Sequence, residues 1–379
     1  IIAEYVAGAL LMHSYDNEWK YTKLNSAQDA GYSTQKALKA ELNAASSTGT
    51  AQTTAAATTA AETTAAETTA AEKKDASGTL TVYTSQPEAD IQALVEEYNK
   101  SCPDVKVEIF RSGTEEVVSK VLAEKEAGSV LADILLVSDA ATFESLKAKD
   151  ILMSYESPEL SEIDPSFYDA DHTYTGTKII STGIAVNTDV VSNIPESLAD
   201  LTKAEYKDEL IMPSPLYSGA AAYNLGVITR TDGLGWEFYQ GLKDNGVKVD
   251  KGNGAVQKAV VAGENGLGLL VDYMAIRSKN DGAPIEFVYP SEGSLCVTEP
   301  IGIVAGTKNE AAAESFVDFI LSEDGQKATA EIGYTPIRKG VAAPEGLKSA
   351  DEITNLTYDL PTLVETRDSD KEAFSKMFE

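Results

Sequence analysis

The sequence has 379 residues, of which 43% are hydrophobic, so it is long enough for two domains with buried cores. Its 60 acidic and 31 basic residues give a formal net charge of −29, which argues against a nucleic-acid partner because phosphate backbones need clustered lysine and arginine. The two histidines exclude a histidine-rich metal site, and Cys102 and Cys296 lie outside any zinc-type spacing. Two buried thiols are expected, and a single disulfide is the alternative.

The first 45 residues have no clear hydrophobic period apart from the helix-like stretch QKALKAELNAA, and residues 1–45 are left as an unassigned N-terminal segment. They contain neither a signal-peptide pattern nor a lipid-anchoring cysteine. Their longest apolar run, VAGALLM, is too short to span a membrane.

Residues 46–78 are of low complexity, with the unit TTAAE repeated three times in succession. The segment has no leucine, isoleucine, valine, methionine or aromatic residue, so it cannot bury a core. This composition predicts a disordered Thr/Ala/Glu-rich linker that tethers the folded part to a surface; a neutral spacer is the alternative.

From Thr79 onward, predicted strands and helices alternate, which indicates parallel sheets covered by helices on both faces. The predicted strands are residues 80–84, 105–110, 132–138, 182–187, 208–213, 266–271, 284–290 and 299–306. The predicted helices are residues 88–100, 115–128, 140–149, 220–229, 235–246, 254–265, 272–282, 311–321 and 322–333.

Four of these strands end in a short turn of hydroxyl or acidic residues that opens a helix. The four segments are TLTVYTSQPEAD, VKVEIFRSGTEEVV, ADILLVSDAATFESL and ELIMPSPLYSGAAAYNL. In open α/β sheets, ligands bind at the carboxyl ends of strands, where free backbone N–H groups begin the next helix. The repetition in both halves of the chain predicts a site for a small polar ligand.

The candidate ligand-binding residues lie in these turns and after the strand GLGLLV. They are Ser85, Arg111, Ser112, Gly113, Thr114, Ser138, Tyr217, Ser218, Gly219, Ala220, Asp272 and Tyr273. A glycine lets the backbone approach a ligand, and hydroxyls beside an arginine suit an anion. The alternative is ordinary helix capping, which the S-x-x-E spacings of Ser85 with Glu88 and Ser112 with Glu115 also fit.

Two ligand-binding roles fit Tyr273. It can stack on or hydrogen-bond an organic ligand, or it can donate a phenolate to ferric iron, which prefers oxygen ligands. The alternative is a purely structural role, in which Asp272 is an N-cap and Tyr273 packs in the core.

The sequence offers no catalytic residue and no cofactor motif: it lacks a G-x-S-x-G elbow, an H-E-x-x-H motif and a P-loop. A Ser-His-Asp site would rest on His172, since His13 lies in the unassigned segment, and the residues around His172 predict a surface loop. A non-catalytic binding protein is therefore expected. The alternatives are a secreted α/β hydrolase acting on a small polar substrate and a surface adhesin.

From about Thr79 to Leu347 the chain resembles the ferric-iron-type solute-binding proteins of ABC importers. The segments that carry the resemblance are VYTSQPEADIQALVEEYNK, FRSGTEEVVSKVLAEKEAG, ADILLVSDAATFESLKAKDIL, STGIAVNTDVV, SGAAAYN, DYMAIRSKNDGAPIEFVYPSEG, EPIGIVAGTKN and FVDFILSEDGQ with GYTPIRKGV and PEGL.

This resemblance implies an α/β, two-lobed periplasmic-binding-protein type II fold with mixed, mainly parallel sheets and a hinge. It places lobe 1 at residues 79–184 plus 299–379 and lobe 2 at residues 185–298. The strands TGIAVNTD and EPIGIVAG bracket the middle segment and are expected to pass between the lobes. A ligand that touches both lobes favours the closed state.

The resemblance also bears on ligand, partner and location. Iron-binding members present two adjacent tyrosines where this chain has Asp272-Tyr273, so one phenolate is missing and Tyr273 is a metal ligand only if the solute is ferric iron. A phosphorylated or phosphonate-type organic anion is favoured, with ferric iron as the alternative. The expected protein is an extracytoplasmic monomer that serves an ABC permease, in the periplasm or on the outer face of the membrane, with a lipid anchor on a segment outside this sequence.

Overall fold

Residues 76–379 of the computed structural model form two mixed β-sheets with helices packed against them. Before residue 76 the structure describes only the backbone of three strands. The predicted helix-like stretch at residues 35–45 and the predicted linker up to residue 75 therefore lie outside the described residues.

The chain divides into two units, Ile1–Glu72 and Lys73–Glu379. In the first unit, β1 (Ile2–Ala3), β2 (Ala9–Tyr15) and β3 (Glu18–Leu24) form an antiparallel sheet in that order. No strand was predicted there, because the segment shows no sustained alternation of apolar and polar residues.

The second unit contains the remaining strands that the structure describes. They are β4 (Gly78–Thr84), β5 (Val105–Arg111), β6 (Ile134–Leu136), β7 (Leu152–Met153), β8 (Lys178–Asn187), β9 (Leu210–Pro213), β10 (Lys248–Asp250), β11 (Leu267–Val271), β12 (Ile285–Val288), β13 (Leu295–Val297), β14 (Ile301–Val304) and β15 (Thr335–Pro336). The first sheet has the order β5-β4-β6-β14-β7. The second has the order β10-β9-β11-β8-β12, and β13 and β15 also pair with β8.

Helices connect and cover these strands. They are α1 (Glu88–Ser101), α2 (Thr114–Glu126), α3 (Ala140–Lys147), α4 (Gly219–Ile228), α5 (Gly235–Asp244), α6 (Asn253–Val261), α7 (Asp272–Asn280), α8 (Glu310–Leu321), α9 (Glu323–Ile332) and α10 (Leu360–Phe378). Every predicted helix and strand overlaps an element of its own type. The short strands β7, β10, β13 and β15 and the C-terminal helix α10 were not predicted.

Apolar residues at helical and strand spacing build a separate core on each sheet. In α1, Ile91, Leu94 and Tyr98 recur every three or four residues and are buried against Leu80 and Val82 of β4. All ten residues of β8 are buried, because it lies inside the second sheet with strands on both sides. Burial of these two apolar faces is the main favourable term in folding.

The sheets are mixed, but they are not mainly parallel as predicted. Parallel pairing is confined to β5-β4-β6 and to β10-β9-β11. β14 pairs antiparallel with β6 and β7, and β8 pairs antiparallel with β11, β12, β13 and β15. The reason is that β8 and β14 enter their sheets from the other sheet, and single helices do not fix the direction of such strands.

Two of the segments through which the chain passes between the sheets run side by side; the chain crosses once more after α9, since β15 pairs with β8. Residues 175–177 lead from the first sheet into β8, and residues 298–300 lead from β13 back into β14. The Thr177 amide donates to the Thr298 carbonyl at 2.9 Å, and the Ile301 amide donates to the Thr175 carbonyl at 2.8 Å. The strand TGIAVNTD was predicted to pass between the lobes, but it begins at Thr182, within β8. The first passage lies before it and ends at residue 177.

A buried ion pair joins these two segments. Lys178 Nζ lies 2.5 Å from Glu299 Oε2, and the two side chains are 1% and 5% exposed. Glu299 has a φ of 38°, a left-handed conformation that is uncommon for residues other than glycine. The ion pair therefore holds a strained residue at the point where the chain changes sheets.

Replacing Lys178 with methionine leaves the Glu299 carboxylate buried without its partner. We expect this change to lower the free energy of unfolding by roughly 3–5 kcal/mol, the usual cost of an uncompensated buried charge. Methionine retains much of the apolar length of lysine, so the loss reports mainly the charge. The measurement is the urea midpoint and slope of unfolding.

The double variant K178M/E299Q is the control, because it removes both charges and should recover most of the lost stability. A single variant as stable as the wild type, or a double variant no more stable than the single one, would contradict this role.

Candidate functional site: a cavity between the two sheets

A cavity of about 340 Å³ lies between the two sheets. Arg111 and Val271, the last residues of β5 and β11, line it, together with residues from the turns that follow β4, β5, β6, β9, β10 and β11. Glu299 and Val297 from the return passage and Ile180 from β8 also line it. The cavity is therefore where strand ends of open α/β sheets usually place a ligand.

Ten of the twelve candidate ligand-binding residues line this cavity. They are Ser85, Arg111, Gly113, Thr114, Ser138, Tyr217, Ser218, Gly219, Ala220 and Tyr273. The structure therefore brings turns that are more than 100 residues apart in the sequence to one place.

Ser112 and Asp272 do not line the cavity. The Ser112 hydroxyl donates to Glu116, and its amide donates to the Thr84 carbonyl. The Asp272 carboxylate accepts from the Ser181 and Tyr273 amides at 3.2 and 2.8 Å, so it ties the start of α7 to β8. Both residues support the turns that carry the lining residues.

The S-x-x-E spacings do not form capping boxes either. Pro87 precedes α1 and Gly113 precedes α2, and neither makes a side-chain capping bond. Glu115 instead accepts from Arg367 and Lys371.

The contribution of α6 to the cavity was not predicted from the sequence. The turn before α6 and its first residues line the cavity from Lys251 to Ala255, and Lys258 lines it one turn further on. The signal was available as two glycines around Asn253, but the preceding strand β10 has three exposed residues and no apolar pattern. Pro87, Val271 and Met274 also line the cavity and were not predicted.

Five of the described helices begin at the cavity wall. The residues that immediately precede α1, α2, α4, α6 and α7 all line the cavity: Pro87, Gly113, Ser218, Gly252 and Val271. The first turn of a helix carries unpaired N–H groups and the positive end of the helix dipole. Their convergence favours negative charge in the cavity.

The two sheets contact each other across the cavity through glycines. A Cβ atom on Gly113 would lie 2.5 Å from the Tyr217 ring, so this ring lies directly on the Gly113 backbone. A Cβ atom on Gly219 would lie 2.7 Å from Cβ of Thr114. Only glycine leaves room for this approach.

The side-chain charges that line the cavity are mainly positive. Arg111, Lys251 and Lys258 line it, against one carboxylate, Glu299, which is paired with Lys178. The Arg111 guanidinium donates to the carbonyls of Gln86 and Ser85 at 3.1 and 3.3 Å, which orients it beside the cavity. Lys251 Nζ lies 4.3 Å from the Tyr217 ring centroid.

Burial changes the acid–base properties of the two residues that begin α7. It raises the pKa of Asp272 to about 7, although hydrogen bonds to the charged carboxylate oppose the shift. It also raises the pKa of Tyr273, whose ring centroid lies 4.2 Å from that of Tyr334. A Tyr273 phenolate is therefore disfavoured.

Three further findings concern metals, thiols and membranes. Within residues 76–379, no three His, Cys, Asp or Glu side chains are grouped so that they could hold a metal ion. Cys102 and Cys296 are free thiols, so the disulfide alternative is wrong, and both are partly exposed where buried thiols were predicted. None of the helices described is long and apolar enough to cross a membrane.

Comparison with known proteins identifies the class. Residues 93–355 match the model of the bacterial extracellular solute-binding protein family, so the chain belongs to this family.

Three proteins that this chain resembles bind different ligands, as their names state. A Fe(3+)-binding periplasmic protein from Serratia marcescens is 22% identical over 259 residues, which are 65% of this chain and 75% of the relative. A spermidine/putrescine-binding periplasmic protein from Salmonella typhimurium is 30% identical over 163 residues, or 41% of this chain and 46% of the relative. The structure of the periplasmic binding protein AfuA from Actinobacillus pleuropneumoniae, with fructose 6-phosphate bound, matches with a TM-score of 0.73 at 22% identity, covering 79% of this chain and 98% of that one.

These comparisons confirm the predicted fold class, the two-lobed type II periplasmic-binding-protein fold, and the predicted membership of a solute-binding family. The relatives are binding proteins, and they give no support to the alternative of a secreted hydrolase.

Replacing Asp272 with asparagine should change how stability depends on pH. The carboxyl has a pKa of about 7 when folded and about 3.9 when unfolded, so its contribution is fully present below about pH 4 and is lost as the pH rises through about 7. Asp272→Asn removes this titration. Between pH 5 and pH 8, the free energy of unfolding of the variant should therefore fall less than that of the wild type.

Asp281→Asn, at an exposed residue just after the same helix, controls for the loss of one negative charge. Parallel pH profiles for the wild type and Asp272→Asn in urea unfolding would contradict the raised pKa.

Proposed function

We propose that this chain is an extracytoplasmic solute receptor that binds a phosphorylated or phosphonate-type organic anion in the cavity and delivers it to an ABC importer. The observation that carries the proposal is the convergence of five helix starts and three cationic side chains on one cavity, in a chain whose net charge is −29. Helix starts are common binding sites for phosphate groups. Arginine and lysine add charge-assisted hydrogen bonds to an oxyanion.

Ferric iron, the alternative ligand, fits the cavity less well. Hard oxygen donors would have to come from Tyr217, Tyr273 and Glu299. Burial raises the pKa of Tyr273, and Glu299 is already paired with Lys178. The AfuA structure, with fructose 6-phosphate bound, supports a phosphorylated solute.

A polyamine also fits poorly, although polyamine-binding proteins are among the relatives. A cationic ligand needs carboxylates, and Glu299 is the one carboxylate that lines the cavity among the described residues. Arg111, Lys251 and Lys258 would repel it.

Lobe closure is the proposed binding mechanism. We assign the first sheet with α1–α3, α8 and α9 to lobe 1, and the second sheet with α4–α7 and α10 to lobe 2. This assignment differs from the predicted bounds, which put residues 178–184 and α10 in lobe 1, because β8 pairs within the second sheet and α10 packs on its core. The passages at residues 175–177 and 298–300 are the proposed hinge. A ligand that contacts Thr114 and Ser138 on one lobe and Ser218 and Lys258 on the other would favour the closed state, because it gains both sets of contacts only there.

The proposed partner is the membrane permease of an ABC importer, as expected for the family. The protein would act as a monomer in the periplasm or on the outer face of the membrane, held by a lipid anchor outside this sequence. We infer a non-catalytic role. His172 is the one histidine within residues 76–379, and it stacks on Tyr168 and does not line the cavity.

A panel of probes tests the ligand class by thermal unfolding. Fructose 6-phosphate should raise the melting temperature, since a ligand at 100 times its Kd stabilises the folded state by about 2.7 kcal/mol. Fructose, which lacks the phosphate, should leave it unchanged. Methylphosphonate separates preference for a phosphonate from preference for a phosphate ester.

Spermidine and ferric citrate complete the panel. Stabilisation by either of them, with no effect of the phosphate ester and the phosphonate, would reject the anionic ligand class. Unchanged fructose 6-phosphate after incubation, measured by mass spectrometry, is expected of a receptor; release of phosphate would favour the hydrolase.

Lys258→Gln tests the cationic side chains. We expect the Kd for fructose 6-phosphate to rise roughly tenfold, because a charge-assisted hydrogen bond contributes about 1.5–3 kcal/mol and 1.4 kcal/mol is a factor of ten. The melting temperature of the free protein should stay the same, since Lys258 is exposed.

Lys308→Gln is the matched control: it removes the same charge from an exposed lysine that does not line the cavity. Isothermal titration calorimetry measures both variants. Equal weakening by both would mean that Lys258 acts only through the overall charge of the protein, and an unchanged Kd for Lys258→Gln would exclude it from the binding site.

A further inference from the structure

The C-terminal helix α10 packs on the core of the second sheet. Leu363 and Phe374 of α10 are buried in that core. Arg230, two residues after the end of α4, donates to Asp370 of α10 at 2.7 Å, and Leu363 lies against Gly226 within α4. These contacts attach α10 to α4.

A buried arginine on α10 also contacts two helices of the first sheet. The Arg367 guanidinium donates to Asp139, the residue before α3, at 3.1 and 3.2 Å, and to Glu115 in the first turn of α2 at 2.7 Å. Lys371 donates to the other oxygen of Glu115 at 2.7 Å. The side chains of Arg367 and Asp139 are 10% and 0% exposed. One side chain thus bridges the starts of two helices.

The acidic partners of Arg367 are next to residues of the cavity wall. Glu115 follows Thr114, and Asp139 follows Ser138; both Thr114 and Ser138 line the cavity. Across the cavity, Gly219 at the start of α4 lies against Thr114 and Ser138. Thus α10 connects both walls: through Leu363 and the Arg230–Asp370 pair to α4 and the turn after it, and through Arg367 to the two turns that α4 faces.

The acidity of Glu115 agrees with this geometry. Burial acts to raise the pKa of Glu115, but the charges of Arg367 and Lys371 outweigh it and lower the pKa. The carboxylate therefore stays ionised in a buried place where it is held by its two cationic partners.

We propose that Arg367 is a positioning residue for the ligand cavity: it holds the Thr114 and Ser138 turns of the first sheet against the start of α4, although it does not line the cavity itself. These contacts therefore stabilise the arrangement in which both walls face the ligand, so the ligand has to supply less free energy for closure. The inference rests in part on the proposed function, because it treats the cavity as the ligand site.

The test compares Arg367, which lies on α10, with Arg230, which pairs with Asp370 of α10. Arg367→Met breaks the contacts between α10 and the first sheet. Arg230→Met, the matched control, breaks an ion pair of the same kind between α10 and the turn after α4, and both of these elements pack on the second sheet. Arg367→Lys retains the charge but cannot bridge two carboxylates in the same way, and it serves if Arg367→Met does not fold.

The first readout needs no ligand. Hydrogen exchange of the free full-length chain, followed by mass spectrometry, should show at least tenfold faster exchange at residues 113–117 and 139–143 in Arg367→Met and no change there in Arg230→Met. Equal rates in the two variants at both turns would overturn the proposal.

The second readout is the Kd for fructose 6-phosphate, measured well below the melting temperature of each variant. Arg367→Met should weaken binding at least tenfold, Arg367→Lys less, and Arg230→Met less than threefold. Equal weakening by Arg367→Met and Arg230→Met would reduce Arg367 to a stabilising residue and overturn the proposal. If the wild type does not bind fructose 6-phosphate, that choice of ligand is wrong, and hydrogen exchange alone decides the role of Arg367.

Discussion

The arrangement of the whole second unit depends on two short segments that lie side by side between the sheets. Residues 175–177 and 298–300 exchange backbone hydrogen bonds, and the Lys178–Glu299 ion pair joins them. Because both segments are held together, the strand ends of the two sheets face each other and the turns that follow them form one cavity. A buried ion pair gives little net stability by itself, but breaking it is costly. It therefore favours one geometry of the passage over others.

The cavity shows how local charge differs from overall charge. The chain carries a net charge of −29, which keeps it soluble and repels anions at long range. Within the cavity, five helix starts and the side chains of Arg111, Lys251 and Lys258 reverse the sign. At physiological ionic strength, charges more than about 8 Å from a ligand are largely screened, so the nearby groups dominate. An acidic receptor for an anionic solute is thus physically consistent.

Much of this arrangement can be predicted from the sequence, because it is encoded locally. The buried strands β6 and β11 are apolar runs, and the turns that follow β4, β5 and β9 contain the small residues that line the cavity. Tyr273 was placed correctly at the cavity by its position after β11.

The contacts that were missed depend on residues far apart in the chain. Glu115 has the spacing of a capping residue, but Arg367, 252 residues away, takes its carboxylate. Helix α10 buries few residues along its length, so its sequence has only a weak apolar period. Lys251 follows a strand of three exposed residues, which has no apolar pattern either. No local rule reveals such partners, because the fold alone brings them together.

The meeting of Tyr217 with the Gly113 backbone has one more consequence. The ring occupies the place where any other residue would carry Cβ, so an alanine at position 113 would require the Tyr217 ring to move. If the lobes close as proposed, this contact sets how near the two sheets come to each other at that point.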